Sequence, residues 1–157
     1  MVLVLPTMEY EIREVPEFHI VGVELRMENT EGRAAREIPP FWEKFYSEHL
    51  KRITGRMDQD VLGLYLDYES DHNGPYSLIA GCRVPADYEA PAGMTKRTIA
   101  AARYAVFPTS GDFPAALQSV WSYVWDSDLR RTYKTDFELY GERFGAKGEV
   151  EVCVAII

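Results

Sequence analysis

The sequence predicts an α+β fold made of two βαββ halves, at about residues 8–84 and 95–157. Three observations carry this prediction. The order strand, helix, strand, strand occurs twice; the two helical stretches share a matching aromatic and aliphatic face; and the chain closes on a strand with regular apolar alternation. The repeat is one of element order, since residue-level similarity between the halves is weak.

Residues 12–15 and 18–26 are rich in β-branched and aromatic side chains and read as strands. A polar loop through Glu31-Gly32-Arg33 leads to a helix expected to open at Pro39-Pro40, where fixed backbone angles suit a first turn. Trp42, Phe45, Tyr46, His49, Leu50 and Ile53 recur along it at helical spacing before Gly55 stops it. Strands at 61–68 and 76–84 follow, and Asn73-Gly74 between them marks a hairpin. Beyond a link at 85–93, residues 98–107 read as one strand, and Asp112 as the cap of a second helix. That helix carries Phe113, Leu117, Val120, Trp121, Val124 and Trp125 on one face. Strands at 135–144 and 149–157, joined by a loop at 145–148, complete the second half. In the last one Val150, Val152, Val154 and Ile156 alternate with Glu149, Glu151, Cys153 and Ala155, as in a half-buried antiparallel strand.

Composition narrows the function. A chain of 157 residues that is 46% hydrophobic builds one compact domain with a sizeable core and leaves no room for a second full one. The formal net charge is −8 and the basic residues are scattered, so nucleic-acid phosphates are repelled and no direct nucleic-acid contact is expected. Cys82 and Cys153 stand far apart in apolar runs and read as reduced core thiols. The apolar stretch 1–6 is too short for a secretory segment and nothing approaches membrane-spanning length, so a soluble cytoplasmic protein with no membrane partner is expected. The chain has no phosphate-binding Gly-Lys-Ser/Thr loop, no dinucleotide fingerprint and no Gly-x-Ser-x-Gly elbow. His19, His49 and His72 are isolated from one another, so neither a metal site nor a cofactor is implied.

The run 132–140 is the most informative segment. On a strand Glu138 and Tyr140 point one way while Phe137 and Leu139 point the other. A carboxylate on an aromatic face suits an organic cation, which brings positive charge and ring surface together. The same residues also fit a solvated glutamate on an edge strand, the commoner situation for Glu. Aromatics are dense elsewhere too, at Trp42, Tyr46, Tyr65, Tyr68, Tyr76, Phe107 and Trp121. Each alone reads as core. The tyrosines together suit a pocket wall better than a dry interior, because each buried hydroxyl needs a partner.

Phe107-Pro-Thr-Ser-Gly-Asp-Phe113, then Trp121-Ser-Tyr-Val-Trp125, then Asp136-Phe-Glu-Leu-Tyr140 and a closing valine-rich strand resemble the GyrI-like effector-binding domain, most clearly over 99–157. That family includes the drug-sensing halves of multidrug-responsive transcription activators. Among its stand-alone members this chain looks most like the mobile integron cassette proteins that bind cationic drugs. The resemblance implies pseudo-two-fold symmetry, an antiparallel sheet with two main helices, and an aromatic groove between the halves with Glu138 inside. It implies a non-enzymatic binder of amphipathic organic cations, with Glu138 as counter-charge and Tyr140, Trp42, Tyr46, Tyr65, Tyr76, Phe107 and Trp121 as the rings. A hydrolase of reactive planar natural products, with Glu138 and Tyr140 orienting water, and a gyrase-interaction module are the alternatives it leaves open. Unlike the activators, the chain has neither the length nor the basic surface for a DNA-binding domain, so direct transcription control is not expected of it; a separate DNA-binding partner and a homodimer are the partners left open.

Overall fold

The computed structural model describes residues 8–109, 114–141, 144 and 149–157. Its elements are β1 (Glu11–Val15), β2 (Phe18–Met27), α1 (Arg33–Lys44), β3 (Val61–Leu66), β4 (Tyr76–Val84), β5 (Thr95–Ile99), β6 (Ala102–Thr109), α2 (Ala115–Asp126), β7 (Thr135–Tyr140) and β8 (Val150–Ile156). Eight strands form one antiparallel sheet in the order β1-β6-β8-β7-β3-β4-β2-β5. The predicted cap Asp112, Phe113, the loop 145–148 and the stretch 1–6 lie outside the described residues.

The strand order reads symmetrically about the β7–β3 junction. β2, β4 and β3 of the first half mirror β6, β8 and β7 of the second, and each half lends its first strand to the other: β1 pairs with β6, and β5 with β2. Val15 faces Ala102 and Phe18 faces Ile99, so the two pairings share one continuous register through the breaks at Pro16-Glu17 and Ala100-Ala101. The single strand expected over 98–107 is therefore two short strands.

Helix α1 also differs from expectation. It begins at Arg33 rather than at Pro39-Pro40 and runs through both prolines. Glu31 and Gly32 adopt positive φ (53° and 68°), and this turn sets the helix start. Behind it come the good helix formers Ala34 and Ala35, and an Arg33–Glu37 ion pair spans the first turn. The prolines remove the N–H groups that would have bonded the Ala35 and Arg36 carbonyls. A wide turn at Phe45–His49 and a tight one at Leu50–Arg52 continue the helical run, which ends before Gly55 as expected.

Period-two alternation assigns the two faces of the sheet. One face packs Ile20, Leu62, Leu64, Ile79, Tyr104, Phe137 and Cys153 into a core to which no helix contributes among the described residues. The other carries α1 and the following turn, with Phe45 against Val21, Ala80 and Cys82, and α2, with Val120 and Val124 against Ala105, Phe107, Val152 and Val154. Both cysteines are free and buried. Helix α1 sits over the β2 side of this face and α2 over β6 and β8, and side chains of β3 and β7 line the space between them.

Candidate functional site

Between α1 and α2 lies a cavity of about 740 Å³, within the range of small-molecule sites. Helical spacing builds both walls. Ala34, Ile38 and Trp42 stand four residues apart on α1, and Leu117, Trp121 and Trp125 do the same on α2. Strands β3, β4 and β7 supply Tyr65, Tyr76, Glu138 and Tyr140 to the floor. Tyr46 and Trp125, 47% and 39% exposed, stand at the rim.

Glu138 is the centre of this arrangement. It lies on the helix-bearing face of β7, between Gly63 of β3 and Val152 of β8, and is 1% exposed. Its Oε2 accepts hydrogen bonds from the Tyr65 hydroxyl at 2.8 Å and the Trp121 indole N–H at 2.7 Å. Its Oε1 accepts from the Tyr140 hydroxyl at 2.5 Å. Burial pushes the carboxyl above its ordinary range, and these three hydrogen bonds oppose the shift without cancelling it. Burial, reinforced by the Glu138 charge, pushes the Tyr65 and Tyr140 phenols well up, so both stay O–H donors. Burial likewise raises Tyr76 to about 12. No cation is paired with Glu138 among the described residues.

Gly63 makes this packing possible. A Cβ there would lie 2.8 Å from the Trp42 ring and 3.4 Å from Glu138 Oε1, so only glycine lets the indole settle on the strand beside the carboxylate. Trp42 in turn stacks on Tyr46 (5.9 Å between ring centres) and meets Tyr140 edge-on at 5.4 Å. Across the floor Tyr65 meets Trp121 edge-on at 5.3 Å and leans on Tyr76 at 5.7 Å.

A second buried carboxylate, Asp136, sits two residues earlier on the same face of β7 and is 0% exposed. Its Oδ2 accepts from Arg131 at 2.7 Å and from the Tyr68 hydroxyl at 2.6 Å, and its Oδ1 accepts the Ala155 N–H at 2.8 Å. The Arg131 guanidinium lies 4.2 Å over the Tyr133 ring.

The structure brings seven of the eight sequence-nominated residues to this cavity: Glu138, Tyr140, Trp42, Tyr46, Tyr65, Tyr76 and Trp121. Phe107 is corrected. It faces the same side of the sheet but is 1% exposed beneath α2, packed against Tyr123 and Tyr10, and belongs to the core. Sequence reasoning missed Gly63, Asp136 and Arg131. Asp136 shares its parity with Glu138, and that was the available signal.

Two helices that wall an aromatic cavity over an antiparallel sheet define a small-molecule effector-binding domain. The chain belongs to the integron-associated effector binding protein family, Cass2, whose model matches residues 11–156. The crystal structure of integron cassette protein VCH_CASS2 from Vibrio cholerae superposes with a TM-score of 0.77 at 28% identity, covering 94% of this chain and 95% of that one. SAV2435, in a structure bound to tetraphenylphosphonium, shares the fold with a TM-score of 0.73 at 24% identity, covering 96% of this chain and 94% of that one. Transcriptional regulator BrlR of Pseudomonas aeruginosa is 31% identical over 142 residues, 87% of this chain, which spans only 50% of BrlR. Among the described residues no helix is long and apolar enough to cross a membrane.

Proposed function

We propose that this protein binds amphipathic aromatic cations in the cavity between α1 and α2, with Glu138 as the counter-charge, and releases them unchanged. The observation that carries this reading is a fully buried carboxylate held by three neutral donors, without an ion pair among the described residues, on the floor of an aromatic cavity. An uncompensated buried charge is costly, and a ligand cation removes that cost. The hydrogen bonds take most of the carboxylate's lone pairs, so a cation without N–H groups, attracted by charge and ring contact alone, suits the site best. The tetraphenylphosphonium bound to SAV2435 is a cation of this kind. The same saturation argues against Glu138 as a general base, because three donors already occupy most of the lone pairs that would take up a proton.

The test is a titration of intrinsic Trp fluorescence with tetraphenylphosphonium and with tetraphenylborate, which is nearly the same shape with the opposite charge. Saturable quenching by the cation alone is expected, weakened about tenfold or more in Glu138→Gln, with the ligand recovered intact. Equal responses to both ions, or of wild type and variant, would overturn the reading.

A further inference from the structure

Arg131 lines the same cavity with a side chain only 3% exposed. Its Nη2 donates to Asp136, but Nε and Nη1 are buried and have no hydrogen-bond partner among the described residues. Tyr133 covers one face of the guanidinium, yet a ring on the face does not satisfy donors that lie in the plane. Asp136 has little capacity left. Its two oxygens already take Arg131, Tyr68 and the Ala155 N–H. Native proteins seldom leave such donors unpaired inside, and those of a charged group are the most costly to leave so.

We infer that Arg131 forms a second subsite, which accepts an oxygen acceptor, carbonyl or carboxylate, carried by the ligand. This rests on the reading of Glu138 as the cation's counter-charge. Asp136 and Glu138 are two residues apart on one strand face, which sets their Cα atoms roughly 7 Å apart, with the Arg131 guanidinium bonded at the Asp136 end. The ligands that fit best are therefore bipolar: a flat cation at Glu138 with an oxygen acceptor reaching the Arg131 end. The Arg131–Asp136 pair is neutral as a whole, so the subsite takes the acceptor by hydrogen bonding and does not depend on a net negative ligand.

The test compares tetramethylrosamine with tetramethylrhodamine, which share the cationic ring system and differ in the carboxylate that only the second carries. Wild-type protein is expected to prefer tetramethylrhodamine by about tenfold. That ratio should collapse to about one in the double variant Arg131→Met with Asp136→Asn, which removes both charges and so avoids stranding either one. Glu138→Gln should weaken both dyes and leave the ratio standing. A second readout needs no variant: the Arg131 Nε–H resonance of wild type should shift on adding tetramethylrhodamine and not on adding tetramethylrosamine. If tetramethylrosamine binds through Glu138 but the carboxylate adds nothing, or its advantage survives the double variant, the subsite is refuted while the cation reading stands. If neither dye binds, both are refuted.

Discussion

Replacing Glu138 by Gln should make the ligand-free protein more stable at neutral pH. The three donors constrain the outcome. Gln Oε1 in place of the carboxylate Oε2 still accepts from Tyr65 and Trp121, and Nε2 in place of the other oxygen donates to Tyr140 once that hydroxyl rotates. All three contacts survive as neutral hydrogen bonds. What is lost is their charge assistance, about 1 kcal/mol each; what is gained is relief from burying an unpaired ion, which costs several kcal/mol. The raised carboxyl of Glu138 gives the sign, because burial outweighs the hydrogen bonds. A net gain of about 1–2 kcal/mol follows, or about 3–6 °C in Tm for a domain of this size. Linkage adds a pH signature. A carboxyl raised on folding contributes stability that is fully present below its unfolded value, near 4.3, and is lost as pH rises through the folded value. Wild type and Glu138→Gln should therefore coincide in acid and diverge towards neutrality. Thermal unfolding followed by circular dichroism at a series of pH values measures this directly. A variant less stable than wild type at pH 7, or a gap that does not close on acidification, refutes the view of Glu138 as an uncompensated buried charge. Saturating tetraphenylphosphonium should reverse the order, since ligand at a hundredfold excess over Kd adds about 2.7 kcal/mol to the form that binds it.

Proton and ligand compete for the same carboxylate, so tetraphenylphosphonium affinity should rise with pH through the raised range of Glu138 and stay flat in Glu138→Gln, as read by titrations from pH 5 to 8. Trp121→Phe removes one of the donors holding the charge, so the midpoint of that pH dependence should move upward. Gly63→Ala places a methyl group against the Trp42 ring and should cost about 1–3 kcal/mol by denaturant unfolding, with weakened cation binding and a shifted Trp emission. Phe107→Ala should cost about 3–5 kcal/mol of stability and leave the Kd for tetraphenylphosphonium unchanged; an altered Kd would return Phe107 to the site.

How far the sequence could be read depended on whether a feature is local. The alternation that sets Glu138 and Tyr140 against Phe137 and Leu139 is a property of four consecutive residues, and the structure keeps it. The helix faces were legible for the same reason. Phe107 shows the limit of that logic, because alternation assigns a residue to a face of the sheet but not to what covers it, and α2 covers Phe107. The break at Ala100-Ala101 carries no Gly or Pro, and it follows from pairing with strands more than seventy residues away in sequence. The start of α1 was misplaced because Pro39-Pro40 reads locally as a first turn, while the positive-φ turn at Glu31-Gly32 and the stripe of Ala34, Ile38 and Trp42 over the sheet draw the helix back by six residues. The Arg131–Asp136 pair was hidden in plain composition. It forms because Tyr133, at φ 55°, folds the segment back so that the guanidinium reaches the carboxylate five residues on.

The two carboxylates of β7 offer an internal comparison. Asp136 and Glu138 share a strand, a face and nearly complete burial, at 0% and 1% exposure. For Asp136 the chain itself supplies a cation, Arg131, laid over the ring of Tyr133, while the Tyr68 hydroxyl donates to the same carboxylate. That is an organic cation held by a carboxylate and aromatic rings, assembled within one polypeptide. The fold can therefore neutralise a buried acid at this depth when it has a guanidinium to offer. At Glu138 the described residues supply phenol and indole donors, which orient the charge without cancelling it, and the Trp42, Tyr65 and Trp121 rings stand around a space large enough for a ligand. Selection for stability alone would favour Gln or a local Arg at this place. An acid at this place, unpaired among the described residues, is what the proposed ligand cation would neutralise.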